Sequence, residues 1–466
     1  MSQPRSRIAI VGGGPGGYEA ALVAAQLGAE VTVVERNGLG GACVLTDCVP
    51  SKTLIASSGM MAALDASPSL GLRINSEGNE AIQIDAPRLY ARVRALARAQ
   101  SADVASRLSA EGVKVIAGTA RLIGPRTVAV ADTRIEADVV LIATGAEPRV
   151  LPGAEPDGER ILTWRQLYDL TELPQELIVV GSGVTGAEFA SAYQALGSQV
   201  TLVSSRDRVL PHEDADAAMV VEDVFRRRGM TVLSRSRAER VSRHGSGVTV
   251  TLSDGRTLRG THCLVTVGML PSTAGLGLAE AGVEVDERGF VRVDKVSRTS
   301  APGVYAAGDC TGVLMLASVA GMQGRIAMWH ALGEAVTPLK LSNVAATIFT
   351  EPEIATVGIP EQAVMSGEIP DAVVVKQPLA TNARAKMQGF RDGFVKLMAR
   401  RSTGTVVGGV IVAPRASELI LAVSLAVEQQ LSVDQVAQTF AVYPALSGSI
   451  TEAARRLMQS AEARAG

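Results

Sequence analysis

Two cysteines carry the most distinctive chemistry in this chain. Cys43 and Cys48, with four residues between them, lie in the stretch Gly40-Gly41-Ala42-Cys43-Val44-Leu45-Thr46-Asp47-Cys48-Val49-Pro50-Ser51-Lys52. A pair so spaced, entering a predicted helix and following a dinucleotide-binding pattern, reads as a redox centre reached by a bound cofactor. Dithiol–disulfide exchange needs a thiolate, and a free thiol with a pKa of about 8.5 is mostly protonated near pH 7. A base must therefore take that proton if sulfur is to do the chemistry.

The elements that must position the pair begin upstream. Ile8–Val11 is a continuous apolar run, as expected for a strand buried on both faces of a parallel sheet. Gly12, Gly14 and Gly17 follow in G-x-G-x-x-G spacing, then a predicted helix over Ala20–Leu27 and a strand from Glu30 that ends on Glu35. Glycines at that turn let a pyrophosphate approach the helix N-terminus, and a carboxylate about 20 residues on suits a ribose diol.

The same unit recurs. Leu177–Val180, the turn Gly181-Ser182-Gly183-Val184-Thr185-Gly186 and Leu196–Val203 copy it at one constant offset, Gly12 recurring as Gly181 and Gly28 as Gly197. Two units imply two dinucleotides, or one dinucleotide and one prosthetic group. At that offset Glu35 becomes Ser204, so the second unit has no ribose-binding carboxylate. Ser204, Ser205 and Arg206 stand there instead, a set that tolerates a 2′-phosphate as well as a diol. The alternative is that Arg206 is merely exposed on a loop.

Between the units, Ala86–Glu111 is predicted helical, and a strand-rich patch ends at Val139–Gly145; Val304–Asp309 is a second turn of that kind. Asp309 there suits a pyrophosphate- or ribityl-bearing ligand, or caps a helix. From about Asn343 the composition shifts to short β-branched runs, Val373–Val375, Phe394–Leu397 and Val406–Val412. With helices predicted over Ser417–Gln430 and Val433–Phe440, they suggest an antiparallel sheet packed by helices.

Bulk properties narrow the rest. A length of 466 residues fits about three domains. A formal charge of −2 gives no reason to expect a nucleic-acid or membrane-surface partner. Arg226–Arg228 reads as a solvated helix face. The N-terminus lacks the pattern of a signal peptide, and the longest uncharged run, Gly260–Ala279, is too broken by His262, Pro271 and glycines to span a membrane. Four cysteines do not make a disulfide scaffold; Cys263 reads as core and Cys310 as part of the Asp309 turn. The expectation is a cytoplasmic protein without a metal site.

These stretches, with Ala143-Thr144-Gly145, Gly181–Glu188, Thr299–Asp309 and Phe349-Thr350-Glu351-Pro352-Glu353, resemble nearly end to end the flavin-dependent pyridine-nucleotide:disulfide oxidoreductases. That is the family of dihydrolipoamide dehydrogenase and glutathione reductase. The resemblance implies an α/β fold of two Rossmann-like domains plus a C-terminal α+β dimerisation domain. The expected division is an FAD-binding domain in residues 1–150 and again in 276–342, an NAD(P)-binding domain in 151–275, and an interface domain in 343–466.

It implies FAD on Gly12, Gly14, Gly17, Glu35, Gly41, Lys52, Ala120, Thr144, Gly145, Asp309, Leu316 and Ala317. It implies NAD(P)H on Gly181, Gly183, Gly186, Glu188, Ser204, Ser205, Arg206 and Gly268. Cys48 would face the flavin, Cys43 would be the interchange thiol, and Lys52 would pair with Glu188 beside the flavin. The family is homodimeric, each site being finished by the partner's C-terminal segment.

There the chain departs from the pattern. The family's His-Pro, with a glutamate five residues after the histidine, is here Tyr443-Pro444-Ala445-Leu446-Ser447-Gly448. Met269 and Ser272 replace an arginine and an asparagine after Val267-Gly268. A phenol with a pKa of about 10 is no base at pH 7, and losing a general base costs roughly two to four orders of magnitude. The expected activity is therefore an FAD-dependent NAD(P)H:quinone reductase, like the quinone-reducing branch of the family, with poor turnover of lipoamide or glutathione disulfide. Tyr443 would either donate to a quinone oxygen or fill the space of the lost imidazole. The rival readings are a soluble NAD(P)+ transhydrogenase, a residual dihydrolipoamide dehydrogenase and a non-catalytic redox-sensing flavoprotein.

Overall fold

The computed structural model describes residues 5–72 and 83–462. Its first sheet has five parallel strands in the order Val304–Ala306, Val139–Ile142, Arg7–Val11, Glu30–Glu35 and Lys114–Ala117. Ile8 to Val11 are all buried, which explains why that strand reads as an unbroken apolar run. Helix α1 (Pro15–Gln26) leaves the glycine turn, α2 (Gly41–Leu45) carries Cys43, and α3 (Cys48–Ala66) begins at Cys48. Helix α4 (Ala86–Ala110) is capped by Asp85, whose side chain accepts from the Arg88 amide. It buries Tyr90, Val93, Ala97, Val104 and Leu108 along one face.

The second sheet repeats the first: Thr231–Leu233, Gln199–Val203, Glu176–Val180, His262–Val265 and Ile161–Leu162, again all parallel. Helices α5 (Val184–Ala195) and α6 (Ala215–Arg227) belong to it. Helix α7 (Ala317–Ala331) follows the return to the first sheet and packs on α1. Cys263 is buried in its strand, as expected, and Cys310 is buried after Asp309.

The C-terminal region is a five-stranded antiparallel sheet in the order Ala346–Ile348, Glu353–Gly358, Val406–Ala413, Phe394–Arg400 and Ala372–Pro378. Short helices α8 (Glu361–Met365) and α9 (Ala383–Met387) connect its strands. Helices α10 (Ala416–Glu428) and α11 (Val433–Gln438) lie close to their expected bounds. A further helix, α12 (Gly448–Glu462), was not expected from the sequence. Its buried face is Ile450, Ala453, Ala454 and Leu457, an apolar stripe at helical spacing opposite a charged face.

One core runs through all three parts. Leu54, Tyr90, Phe189, Tyr193, Phe225, Ile354, Phe394 and Met398 belong to a single buried cluster, and the Tyr90 and Tyr193 hydroxyls meet at 3.1 Å. The arginine triplet is more than a solvated face: Arg227 pairs with Asp392 at 2.6 Å, and Arg228 donates to the Glu351 carbonyl at 3.4 Å, while Arg226 pairs with Glu222 on its own helix. The two outward contacts join the end of α6 and its C-cap residue to the C-terminal region.

Beside them Lys396, fully buried, places its ammonium 2.8 Å from Asp214 and 2.9 Å from Asp216, and also on Glu361. Asp214, Asp216 and Glu361 thus surround a cation supplied by the chain itself. Removing it would leave three half-buried carboxylates balanced only by Lys376, 2.9 Å from Asp216, and breaking a buried pair costs up to about 3–5 kcal/mol. Lys396→Met should destabilise the protein by that order at pH 8 in urea denaturation. Burial pushes the Asp216 carboxyl up, but Lys376 and Lys396 hold it below its ordinary 3.8, so the loss should shrink only as the pH falls below about 4; a pH-independent loss would point to packing alone.

Candidate active site

The first glycine turn owes its shape to contacts that no side chain could share. Gly12 has φ +107°, and a Cβ there would strike the Ala143 carbonyl; one at Gly17 would strike the Gly12 carbonyl. The second turn repeats this crowding, Gly181 against the Thr266 carbonyl and Gly186 against the Gly181 carbonyl. Helix starts at Gly14 and Gly183 have near-identical backbones, φ −70° ψ −175° and φ −72° ψ −173°. The repeat read from the sequence is therefore a repeat of local geometry.

The first turn opens into a cavity of about 350 Å³. Gly12, Gly14, Glu35, Gly41, Cys43, Cys48, Ala120, Thr144, Gly145, Asp309 and Ala317 all line it. Gly17 is buried beneath the turn, and Leu316 is the N-cap residue of α7, outside the lining. Glu35 accepts from the Gly13 amide at 2.6 Å and the Asn37 amide at 2.7 Å, which fixes its carboxylate at the strand end. Buried Thr144 Oγ1 has no hydrogen-bond partner. A glycine-floored cleft at a helix N-terminus, with a fixed carboxylate and an unpartnered hydroxyl, fits an elongated, phosphate-bearing, hydroxyl-rich group.

Both cysteines are free thiols at one end of this cavity. Cys43 is the one that ionises first: the hydrogen bond from Cys48 lowers its pKa, against burial and the charges of Asp47 and Asp309. The Cys48 thiol is driven up by that same bond, by burial and by Asp47. One helical turn on, Lys52 Nζ lies 2.7 Å from Glu188 of α5 and 5.0 Å from the centre of the Phe349 ring. Glu188 is held from its other side by the Phe349 amide at 2.9 Å. Burial pulls the Lys52 ammonium down, but Glu188 more than offsets it, so its pKa is raised and it stays charged.

At the second turn the expected residues part company. Ser204 is fully buried, with its hydroxyl bonded to Ser182 Oγ at 2.7 Å and to the Arg206 amide at 3.1 Å. This corrects the expectation that it faces a ligand: it braces the loop. Ser205 and Arg206 are exposed, and so is Gly268. Gly183 has open space over its Cα. Tyr443 is 83% exposed and lines a different cavity, with Phe440 and Val442 beside it, away from its own chain's cysteines.

Sequence reasoning passed over three residues at the cysteine end. Asp47 and Arg165 line the cavity, and Tyr168, buried with its hydroxyl unpartnered, is within electrostatic reach of Asp47, Glu188 and Cys48. Asp47 was visible between the cysteines, where an acid opposes thiolate formation. Arg165 and Tyr168 come from a segment without a motif and are brought in by the fold.

Asp309 yields a stability test. Burial, and then the charge of Asp47, push its carboxyl up to about 6 from an ordinary 3.8. A raised carboxyl favours the folded state below the ordinary pKa, and that contribution is lost as pH rises through the folded value. Asp309→Asn should therefore raise the melting temperature of the flavin-free protein at pH 7–8 and leave it unchanged below pH 4. Equal effects at both pH values would contradict the charge-burial account.

Known proteins share this arrangement. Residues 6–324 match the family described as pyridine nucleotide-disulphide oxidoreductase, and residues 344–454 match its dimerisation domain. The chain is 57% identical over 468 residues to a protein of Mycobacterium tuberculosis named NAD(P)H dehydrogenase (quinone), covering 97% of this chain and 94% of that one. It is 36% identical over 462 residues to the dihydrolipoyl dehydrogenase of Chlorobaculum tepidum, covering 97% of each. The crystal structure of LpdA from Mycobacterium tuberculosis superposes with a TM-score of 0.92 at 56% identity, covering 97% of this chain and 100% of that one. The HOCl-induced flavoprotein disulfide reductase RclA of Escherichia coli follows with a TM-score of 0.86 at 26% identity, covering 96% and 99%. An oxidoreductase architecture served by FAD and NAD(P)H accounts for both glycine turns and the thiol pair: the chain belongs to the pyridine nucleotide-disulphide oxidoreductase family.

Proposed function

We propose that this protein is an FAD-dependent NAD(P)H:quinone reductase and a homodimer. The observation that carries the reading is Tyr443 and Gly448 in place of a histidine and a glutamate that would act on the thiol pair. The name of the Mycobacterium tuberculosis relative supports it. Bound FAD supplies two-electron carriage between NAD(P)H and an acceptor.

In this reading the turn of Gly12, Gly14 and Gly17 holds the FAD pyrophosphate, Glu35 the adenosine ribose and Asp309 the ribityl chain. Gly41, Ala120, Thr144, Gly145, Leu316 and Ala317 form the rest of that site. Gly181, Gly183, Gly186 and Gly268 receive NAD(P)H, with Ser205 and Arg206 at a 2′-phosphate. Lys52, held by Glu188, presents a fixed positive charge beside Cys48. Each protomer's Phe440–Tyr443 segment, exposed on its own chain, reaches the cleft of its partner. The four-part domain division of residues 1–150, 151–275, 276–342 and 343–466 follows from the same reading.

Purified, FAD-loaded protein should oxidise NADPH with a naphthoquinone about 10²–10⁴-fold faster than with lipoamide or glutathione disulfide, the range a general base contributes. Comparable rates, or fast reduction of a thionicotinamide nucleotide without quinone, would overturn the reading. The double variant Tyr443→His/Gly448→Glu restores the missing pair, and nothing lies within 4 Å of a Cβ placed at Gly448. It should gain about a hundredfold in lipoamide turnover, the lower end of that contribution, with quinone turnover little changed. At the second site, Arg206→Glu should raise KM for NADPH by about tenfold or more and leave KM for NADH nearly unchanged. Parallel changes for both nucleotides would remove Arg206 from phosphate recognition.

A further inference from the structure

In the second unit, two neighbouring strand ends are zipped together beyond the sheet. Gln199–Val203 and Thr231–Leu233 pair in parallel, with Val203 beside Leu233. Past that register the Ser204 amide donates to the Leu233 carbonyl at 2.8 Å, the Arg235 amide to the Arg206 carbonyl at 2.8 Å and the Ser236 amide to the Ser204 carbonyl at 2.7 Å. These bonds hold Arg235 at φ +51°, the left-handed region that side chains seldom take. Strain of that kind persists only where the surroundings enforce it, and it collects at ligand sites. The loop 204–210 is also fastened to the glycine turn. Ser182 Oγ donates to Ser204 Oγ at 2.7 Å, and the Leu210 amide to the Ser182 carbonyl at 2.8 Å.

The guanidinium groups around this place differ in what they are free to do. Arg208 donates to the Pro211 and Glu213 carbonyls, both at 3.3 Å, and Arg256 donates to Ser236 Oγ at 2.8 Å while pairing with Asp254 at 2.7 Å. Both are committed to the protein itself. The exposed Arg206 side chain has no partner among the described residues. Arg235 gives its Nε to Asp207 Oδ1 at 2.7 Å, with both side chains 79% exposed. The N–H groups on its two Nη atoms have no partner among the described residues.

Resting on the reading that NADPH brings its 2′-phosphate to Arg206, we propose that Arg235 is the second guanidinium of that subsite and that Asp207 is the anion it holds when the phosphate is absent. Arg206 and Arg235 extend from backbones in hydrogen-bond contact, so one phosphate can receive both. Releasing Arg235 costs little, because an exposed ion pair is weak. A phosphate, with nearly two charges and three acceptor oxygens, is the better partner for the fork. Asp207 opposes it by occupying Arg235 and by cancelling one of the two guanidinium charges. With NADH no such anion arrives, and the pair stays closed. Asp207 thereby sets how far the site prefers NADPH to NADH.

The test compares AMP with adenosine 2′,5′-bisphosphate, which differ only in the 2′-phosphate, by calorimetric titration of the FAD-loaded protein. The readout is the ratio of the two Kd values, so a general disturbance of the turn, which weakens both, leaves it unmoved. Arg235→Gly suits the left-handed backbone and removes only the guanidinium. It should cut the preference for the bisphosphate about tenfold, and Arg235→Lys should recover part of the loss. Asp207→Asn should raise the preference about two- to fivefold, the worth of an exposed ion pair. An unchanged ratio in Arg235→Gly, or one that stays or falls in Asp207→Asn, overturns the proposal. Arg206→Ala separates the two claims. If its ratio falls while that of Arg235→Gly stays, the reading of the NADPH site stands and the role of Arg235 alone is lost. If the ratio stays in both, the assignment of the 2′-phosphate to this strand end falls as well.

Discussion

A single ion pair fixes where the two dinucleotide-binding units meet. Lys52 on α3 and Glu188 on α5 join across 2.7 Å, with the Glu188 side chain only 4% exposed and its other oxygen held by the Phe349 amide. Burying such a pair is close to neutral for stability, because desolvation roughly cancels attraction. Its value here is geometric. It locks the helix that starts at Cys48 against the first helix of the second unit, and the Phe349 contact brings in the C-terminal region. Residues from three parts of the chain are thereby held around one cavity end.

The two glycine turns impose the complementary constraint. Each is so crowded by backbone that its strand, turn and helix have one arrangement, and the duplication of that crowding explains why the units superpose in strand order as well as in sequence. What differs between them is the strand end. Glu35 is fixed by two amides and faces the cavity, whereas Ser204 turns inward and leaves Arg206 as the exposed charge. The two strand ends therefore present different groups, a fixed carboxylate at one and an exposed guanidinium at the other.

The sequence made most of this legible because the informative residues are local. Glycine spacing, apolar strands and a terminal acid are written consecutively, and the duplication could be checked by one offset. The C-terminal strands were legible through β-branched runs; the helical spacing of Ile450, Ala453, Ala454 and Leu457 in α12 was legible too and was passed over. Ser204 was misread because a hydroxyl's direction depends on Ser182 and on the loop that follows, neither of which the repeat specifies. The cluster around Lys396 was invisible for the same reason: Asp214, Glu361 and Lys396 lie far apart in sequence and meet only through tertiary packing.

Electrostatics at the cavity end connect these observations to function. The bond from Cys48, with Lys52, favours a thiolate at Cys43, while burial, Asp47 and Asp309 oppose it; the sequence carries Tyr443 and Gly448 in place of a histidine and a glutamate that would draw the proton away. In the proposed function that missing pair makes the thiols poor at exchange, and electrons brought in by NAD(P)H reach the acceptor without passing through sulfur. The most direct test is steady-state naphthoquinone reduction by the FAD-loaded double variant Cys43→Ser/Cys48→Ser. Turnover within about twofold of wild type is the result this account predicts, since less than 0.5 kcal/mol of transition-state stabilisation would then depend on the thiols. A loss of tenfold or more, with flavin content unchanged, would contradict it.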